Sequence, residues 1–199
     1  MKQIRNIFIA LGISCAVSCG NGWLDLEPST AINTDEAVKT LKEVEFTMNG
    51  IYDIMRSSDL YSGRMMYYGD VTGDDMQDVS SSKRTGNYYR FSLTRDNGPS
   101  SHWAGMYERI QNTNLILGRV DGIRISDDEA EWRDNLKGEA LAIRALALFD
   151  LTRFFGMPYA KDGGASLGVP IVTTLSDIDD KPERATVASW YGSFIADLN

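Results

Sequence analysis

The chain has 199 residues and a formal charge of −8, from 20 Lys and Arg against 28 Asp and Glu. That length can bury a core of its own, and 43% apolar with 24% charged residues is globular composition rather than disorder. The acidic balance argues against a nucleic-acid binder, which needs a basic face to neutralise phosphates, and no stretch holds the ~20 unbroken apolar residues of a membrane-crossing helix.

Lys2 and Arg5 open the chain, Ile7 to Val17 is apolar, and Ala16-Val17-Ser18 precedes Cys19. A basic start, an apolar run and small residues form the layout of a bacterial secretory signal. A Cys placed directly after the small residues resembles the site where a lipoprotein is cut and acylated. Residues 1–18 are therefore expected to be a lipoprotein signal peptide, and Cys19 the lipidated residue. The alternatives are an ordinary signal peptide, or acylation at Cys15, which has Gly12 at its −3 position. Cleavage before Cys19 removes two positive charges and no negative one, and leaves no Cys pair, so neither a disulfide framework nor a thiolate metal site is expected. Residues 19–33 carry Pro28 and several turn formers and read as a tether.

A helix is predicted from about Asn33, with Glu36 completing a capping box. Its apolar face is Ala37, Leu41, Val44, Met48, Ile51, Tyr52 and Met55, at three- and four-residue steps. From Ser57 to Ser101 the periodicity is lost. This Gly-, Ser-, Asp- and Tyr-rich excursion is read as an ordered functional loop with short strands around Tyr88 to Leu93. A second helix is predicted over Ser101–Val120, with Trp103, Met106, Tyr107, Ile110, Asn114 and Leu117 as its stripe. A third begins at Ser126, boxed by Glu129, and stops at Gly156 ahead of Pro158. Its half from Ala140 to Phe155 is apolar nearly all round, which calls for burial between other helices. Met157 to Arg184 reads as irregular, and a fourth helix opens at Thr186. The second and third helices form an antiparallel hairpin, the unit of a helical repeat. A repeat needs stacked neighbours, so Trp190, Tyr191, Phe194, Ile195 and Leu198 are expected to present an apolar surface that makes the isolated chain associate.

Three segments resemble the SusD/RagB family of outer-membrane lipoproteins. The first is Ser18-Cys19 followed by Trp23-Leu24-Asp25 and Pro28. The second is Trp103, Tyr107, Ile110, Asn114, Ile116 and Leu117. The third runs from Gly138-Glu139-Ala140-Leu141-Ala142-Ile143-Arg144-Ala145 through Phe149, Phe154-Phe155-Gly156 and Pro158-Tyr159 to Gly168-Val169-Pro170-Ile171. The resemblance implies a mainly α fold of tetratricopeptide-like helical hairpins with long irregular loops. Residues 34–199 would be the N-terminal helical domain of a longer protein, truncated at its C-terminal end. It also implies a non-catalytic surface glycan- or nutrient-binding lipoprotein, anchored in the outer membrane, that delivers its ligand to a SusC-like TonB-dependent transporter. Neither a cofactor nor a catalytic residue is implied. Uncharged Gly20-Asn21-Gly22 departs from the acidic run common after the Cys in surface-exposed lipoproteins of this group, which leaves the leaflet open.

The residues themselves allow several chemistries. Asp70, Asp74, Asp75 and Asp78 cluster in sequence; a turn-forming acidic loop, a calcium loop and a glycosidase carboxylate pair all use such a run. The spacing is not that of an EF-hand, and no metal site is expected. His102, the only histidine, is expected to cap the second helix. Gly163, Gly164 and Gly168 read as a loop rather than a phosphate cradle. Trp103 reads as a core anchor, with a sugar platform as the other reading. Arg144 reads as a satisfied structural cation, and Asn114 as a partner for buried polar groups. Tyr67, Tyr68, Tyr88 and Tyr89 lie off every helical stripe. Sugar rings stack their C–H faces on aromatic rings, and their hydroxyls need polar partners, which Asp70, Asp74, Arg84, Asn87 and Arg90 supply in the same segment. The ligand site is therefore placed in Ser57–Ser101. The competing readings are that these tyrosines pin the loop to the hairpin, and that the chain is a secreted, lipid-anchored hydrolase domain using acids 70–78.

Overall fold

Thr40 sets the start of the first helix. The computed structural model describes residues 37–73, 75–79, 85–94, 96–177 and 179–199. Within them α1 spans Leu41–Met55, with Thr40 accepting from the Glu43 amide and the Glu43 carboxylate accepting from the Thr40 amide at 2.9 Å. The helix predicted from Asn33 does not run through this point. Val38 has φ 65°, a left-handed backbone that no right-handed helix contains, and Ala37 sits in a bend before it. Leu41, Val44, Met48 and Ile51 form the buried face. Tyr52, expected on that face, lies at its exposed edge and donates its hydroxyl to Glu139.

The excursion folds into helix rather than strand. α2 spans Arg64–Thr72, and a single turn, α3, spans Gly86–Tyr89. The amides of Arg90, Phe91 and Ser92 bond back to the carbonyls of Gly86, Tyr88 and Asn87. Those local bonds take the donors a strand over Tyr88–Leu93 would have needed.

α4 (Ser100–Arg119) and α5 (Ala130–Phe155) form the expected hairpin, joined by two 3-10 turns at Val120–Gly122 and Asp127–Glu129. Ser126 and Glu129 make the capping box. The helices run antiparallel, because Trp103 meets Phe155 at one end and Asn114 meets Arg144 further along. Only Gly fits at the end of α5: a Cβ on Gly156 would lie 2.8 Å from the Thr152 carbonyl oxygen.

The segment read as irregular contains a strand. β1 (Leu167–Pro170) pairs antiparallel with β2 (Arg184–Thr186). Gly168 lies on β1, and Gly163 and Gly164, with φ 67° and 80°, turn the chain ahead of it. α6 (Val187–Leu198) follows, opening at Thr186 as expected, with the Thr186 side chain accepting from the Ser189 amide as its cap. It packs on α5, while α1 packs on both α4 and α5. Trp190, expected at an exposed surface, is fully buried with Met106, Ile110, Leu148, Leu151 and Val169, because β1 and α5 close over it. Ile195 and Leu198 do remain exposed.

Arg144 joins four elements. Its Nε donates to Asp197 on α6 at 2.8 Å, and its Nη1 donates to Asn114 Oδ1 on α4 at 2.8 Å and to the Thr173 carbonyl at 3.1 Å. Asn114 Nδ2 donates onward to the carbonyls of Val172 and Thr174. Arg144 and Asp197 are both at least nine-tenths buried. Removing one partner leaves an uncompensated buried charge, so Asp197→Ala should cost about 3–5 kcal/mol. Lys42→Ala, which breaks an exposed pair with Glu45, should cost less than ~1 kcal/mol. Urea melts of the two variants check the contrast.

Candidate functional site

α2 and the C-terminal end of α5 enclose a cleft of about 410 Å³, lined by Tyr61, Met65, Met66, Tyr68, Gly69, Arg153 and Phe154. The pattern that made α5 core also made this wall. Its last turn carries Arg153 and Phe154 past the buried hairpin interface, to the place where the excursion folds back.

A polar chain holds the floor. Asp150, 2% exposed, accepts from the Tyr61 hydroxyl and from Arg153 Nη2 at 3.1 Å. Tyr61 accepts from Arg109 Nη1 at 3.1 Å, and that guanidinium lies 5.1 Å from the centre of the Tyr61 ring. Burial pushes the Tyr61 phenol up to about 12, against the nearby Arg109 charge, so it remains a donor at neutral pH. The Arg153 guanidinium lies 5.2 Å from the Phe149 ring centre and 5.9 Å from that of Phe154, within cation–π range of both.

An aromatic stack forms the wall. Tyr68 lies 4.9 Å from Phe154 and meets Tyr88 edge-on at 5.1 Å. Tyr88, expected off the packed faces, is only 7% exposed and backs Tyr68 from the core side. A paired Tyr88→Ala, Tyr89→Ala substitution would thus remove core as well as surface. Tyr67, Asn87 and Tyr89 are half-buried, and Asp70 and Arg90 are exposed. Asp70 sits on the last turn of α2, where its carbonyl accepts from Asp75 and Met76. Asp74, Arg84 and Cys19 lie outside the described residues. Among the described residues, no group of three or more His, Cys, Asp or Glu side chains could hold a metal ion.

His102 does not cap α4. Pro99 is at the cap position, and the imidazole is fully buried, 5.4 Å from the Phe154 ring and 6.4 Å from Tyr68. The helical period explains the difference: His102, Met106, Arg109, Ile110 and Thr113 form the inward stripe. Trp103 and Tyr107 flank that stripe, half-buried, and Tyr107 donates to the Pro170 carbonyl at 2.8 Å.

Sequence reasoning did not find Tyr61, Met65, Met66, Arg153 or Phe154 as site residues. The one available signal was Asp150: a carboxylate on an otherwise apolar helix needs a partner, and Arg153 stands three residues on.

A sequence profile of the SusD-like family, described as starch-binding and associating with the outer membrane, matches residues 22–199. The chain belongs to the SusD-like family. A SusD-like protein of Formosa agariphila is 27% identical over 93% of this chain and 35% of its own length. Among solved structures, a candidate sugar-binding protein from Bacteroides vulgatus is 65% identical, with a TM-score of 0.78 over 81% of this chain and 36% of that one. A SusD superfamily protein from Bacteroides thetaiotaomicron is 34% identical with a TM-score of 0.69, covering 79% of this chain and 36% of that one. A laminarin-binding SusD-like protein, 20% identical with a TM-score of 0.67 over 81% of this chain and 33% of that one, shares the fold. This chain thus spans about a third of the length of these SusD-like relatives.

Burial holds His102 neutral, and nearby Arg64 adds to that against the opposing charge of Asp59. The imidazole takes up a proton less readily in the folded chain than near pH 6.5, its ordinary value. Its contribution to stability is therefore complete above about pH 6.5 and is lost as the pH falls below it, with a slope of at most ~1.4 kcal/mol per unit. Urea melts from pH 8 to 5 should show this loss, and His102→Phe should flatten it.

Proposed function

We propose that this chain is the N-terminal part of a glycan-binding lipoprotein that captures its ligand without turning it over, and passes it to a SusC-like TonB-dependent transporter in the outer membrane. The observation that carries this reading is the cleft between α2 and α5. An aromatic wall, Tyr68 on Phe154, stands beside a fixed guanidinium and a buried phenol–carboxylate pair. Sugar rings need that pairing of apolar face and fixed donors. SusD-like membership supplies the ligand class. In this reading Tyr67, Tyr68, Asp70, Asn87, Tyr89 and Arg90 contribute to the ligand site, with Tyr88 supporting Tyr68 from behind; Asp74 and Arg84, outside the described residues, are assigned to it from the sequence alone.

Gly69 offers a direct test. It lines the cleft, and a Cβ added there meets nothing within 4 Å. Gly69→Trp should fold normally, fill the cleft and abolish retention on the polysaccharide, measured with immobilised starch and laminarin. The unaltered chain should be retained and release no new reducing ends. Release of reducing ends by a clean preparation would instead favour the hydrolase reading of acids 70–78.

In the same reading the anchor is an acyl group on Cys19. Cys19→Ala expressed with the whole leader should move the protein to the soluble periplasmic fraction, and Cys15→Ala should leave it with the outer membrane. Membrane fractionation with the opposite result removes the anchor assignment.

A further inference from the structure

The polar chain beneath the α2–α5 cleft holds two guanidiniums against one carboxylate. Arg109 is fully buried on the inward stripe of α4. Among the described residues its hydrogen bond is the one from Nη1 to the Tyr61 hydroxyl at 3.1 Å, and its Nε and Nη2 make none. Buried cations are ordinarily paired with an acid, and an arginine side chain keeps its charge in proteins. Asp150 is the acid of this network, but it accepts from Tyr61 and Arg153, not from Arg109. Burial pushes its carboxyl up, against the Tyr61 hydrogen bond and the two guanidiniums, so at most one negative charge offsets Arg109 and Arg153.

Of these groups, Arg153 is the one a ligand can reach. The Tyr61 hydroxyl already donates to Asp150 and accepts from Arg109, and both of those residues are buried. The Arg153 side chain is 55% exposed and lines the cleft. Its guanidinium lies 5.9 Å from the centre of Phe154, the ring on which Tyr68 packs. A guanidinium carries five N–H donors and no acceptor. The hydrogen bond that Arg153 makes among the described residues, from Nη2 to Asp150, uses one of them.

Among the described residues no acid lines the cleft. Asp59 and Arg64, at the start of α2, pair with each other at 2.8 Å. Asp70 is exposed, where water and salt screen it. Buried charge is screened much less, so the surplus charge of Arg109, 5.1 Å from the centre of the Tyr61 ring, acts on whatever occupies the cleft beyond that ring. The chain as a whole is acidic, at −8, so an anionic ligand gains nothing from its overall charge, and a preference for one has to arise locally. We propose that the cleft selects an anionic pyranose, with its ring against Tyr68 and Phe154, its carboxylate or sulfate on Arg153, and the charge of Arg109 unbalanced beneath it. A neutral glucan uses the same wall without that charged contact. The proposal rests on the glycan-binding reading above and names the substrate class of the same site.

The test keeps the sugar backbone and changes its charge. Maltoheptaose and laminariheptaose are each prepared in neutral form, with the primary alcohols oxidised to carboxylates, and with the primary alcohols sulfated. All are titrated into the full chain by calorimetry at low salt. On the backbone that binds, a charged form should bind about 10-fold tighter than the neutral one, as a charge-assisted hydrogen bond to a guanidinium does; whichever of the two gains more identifies the anion. Arg153→Gln should bring the ratio of the two affinities close to one, and Arg153→Lys should keep part of it. Lys42→Ala, at an exposed pair on α1, should leave it unchanged. The ratio compares two ligands on one variant, so a loss of folded protein does not imitate the result. A ratio near or below one in the unaltered chain, or a preference that survives Arg153→Gln or is lost in Lys42→Ala, would overturn the inference and leave the glycan reading standing. If no form of either backbone binds, the glycan reading fails, and the inference with it.

Discussion

The structure depends on one buried charge. Arg144 projects from the most apolar helix of the chain and cannot be buried there unless every donor is met and its charge is balanced. Asp197, Asn114 and the Thr173 carbonyl do this from α6, α4 and the segment after β1. A single side chain therefore fixes where α6 lies on the hairpin and where the strand segment runs across it. The surrounding apolar contacts add most of the stability but are non-directional; the guanidinium gives the arrangement its register. The resulting geometry brings the end of α5, the 157–166 loop and α6 together around Arg153.

At that end the helices stop being only scaffold. Leu148 and Leu151, which pack the hairpin interior, are followed within two turns of the same helix by Arg153 and Phe154, which line a cleft. Asp150 is the junction. It is buried enough to belong to the core, and it holds Tyr61 and Arg153 so that the cleft floor is fixed before any ligand arrives. His102 lies behind the same wall as a neutral ring, packed against Tyr68 and Phe154. The aromatic wall is thus supported from the core, which is how a rigid helical scaffold can hold a recognition surface built partly from an excursion.

What the sequence made legible was mainly what local physics decides. The Ser126–Glu129 box, the opening of a helix at Thr186, the stop at Gly156 and the need of Arg144 and Asn114 each for a polar partner all follow from side chains close in sequence or from an apolar helix that must be buried. The start of α1 was misplaced because Val38 adopts a left-handed backbone that its β-branched side chain gives no reason to expect. β1 and β2 were missed because each is short, and their pairing joins residues that no periodicity connects. The strands expected around Tyr88–Leu93 overlap the helical turn at Gly86–Tyr89 only at Tyr88 and Tyr89, aromatic residues that suit both states. The excursion, where the sequence places the ligand site, contributes Tyr61, Met65, Met66, Tyr68 and Gly69 to the cleft. Its partners Arg153 and Phe154 were not read as site residues, since they stand more than eighty residues from Tyr68 and belong to a helix whose pattern reads as packing alone.

The central claim is that recognition is concentrated where the excursion meets the end of α5. Hydrogen–deuterium exchange of the full chain, with and without soluble starch or laminarin, addresses it directly. With the polysaccharide that is retained, exchange should slow over residues 61–69 and 149–159, while the interior of the α4–α5 hairpin stays unchanged. Slowing confined to other segments, with these two unaffected, would contradict the account.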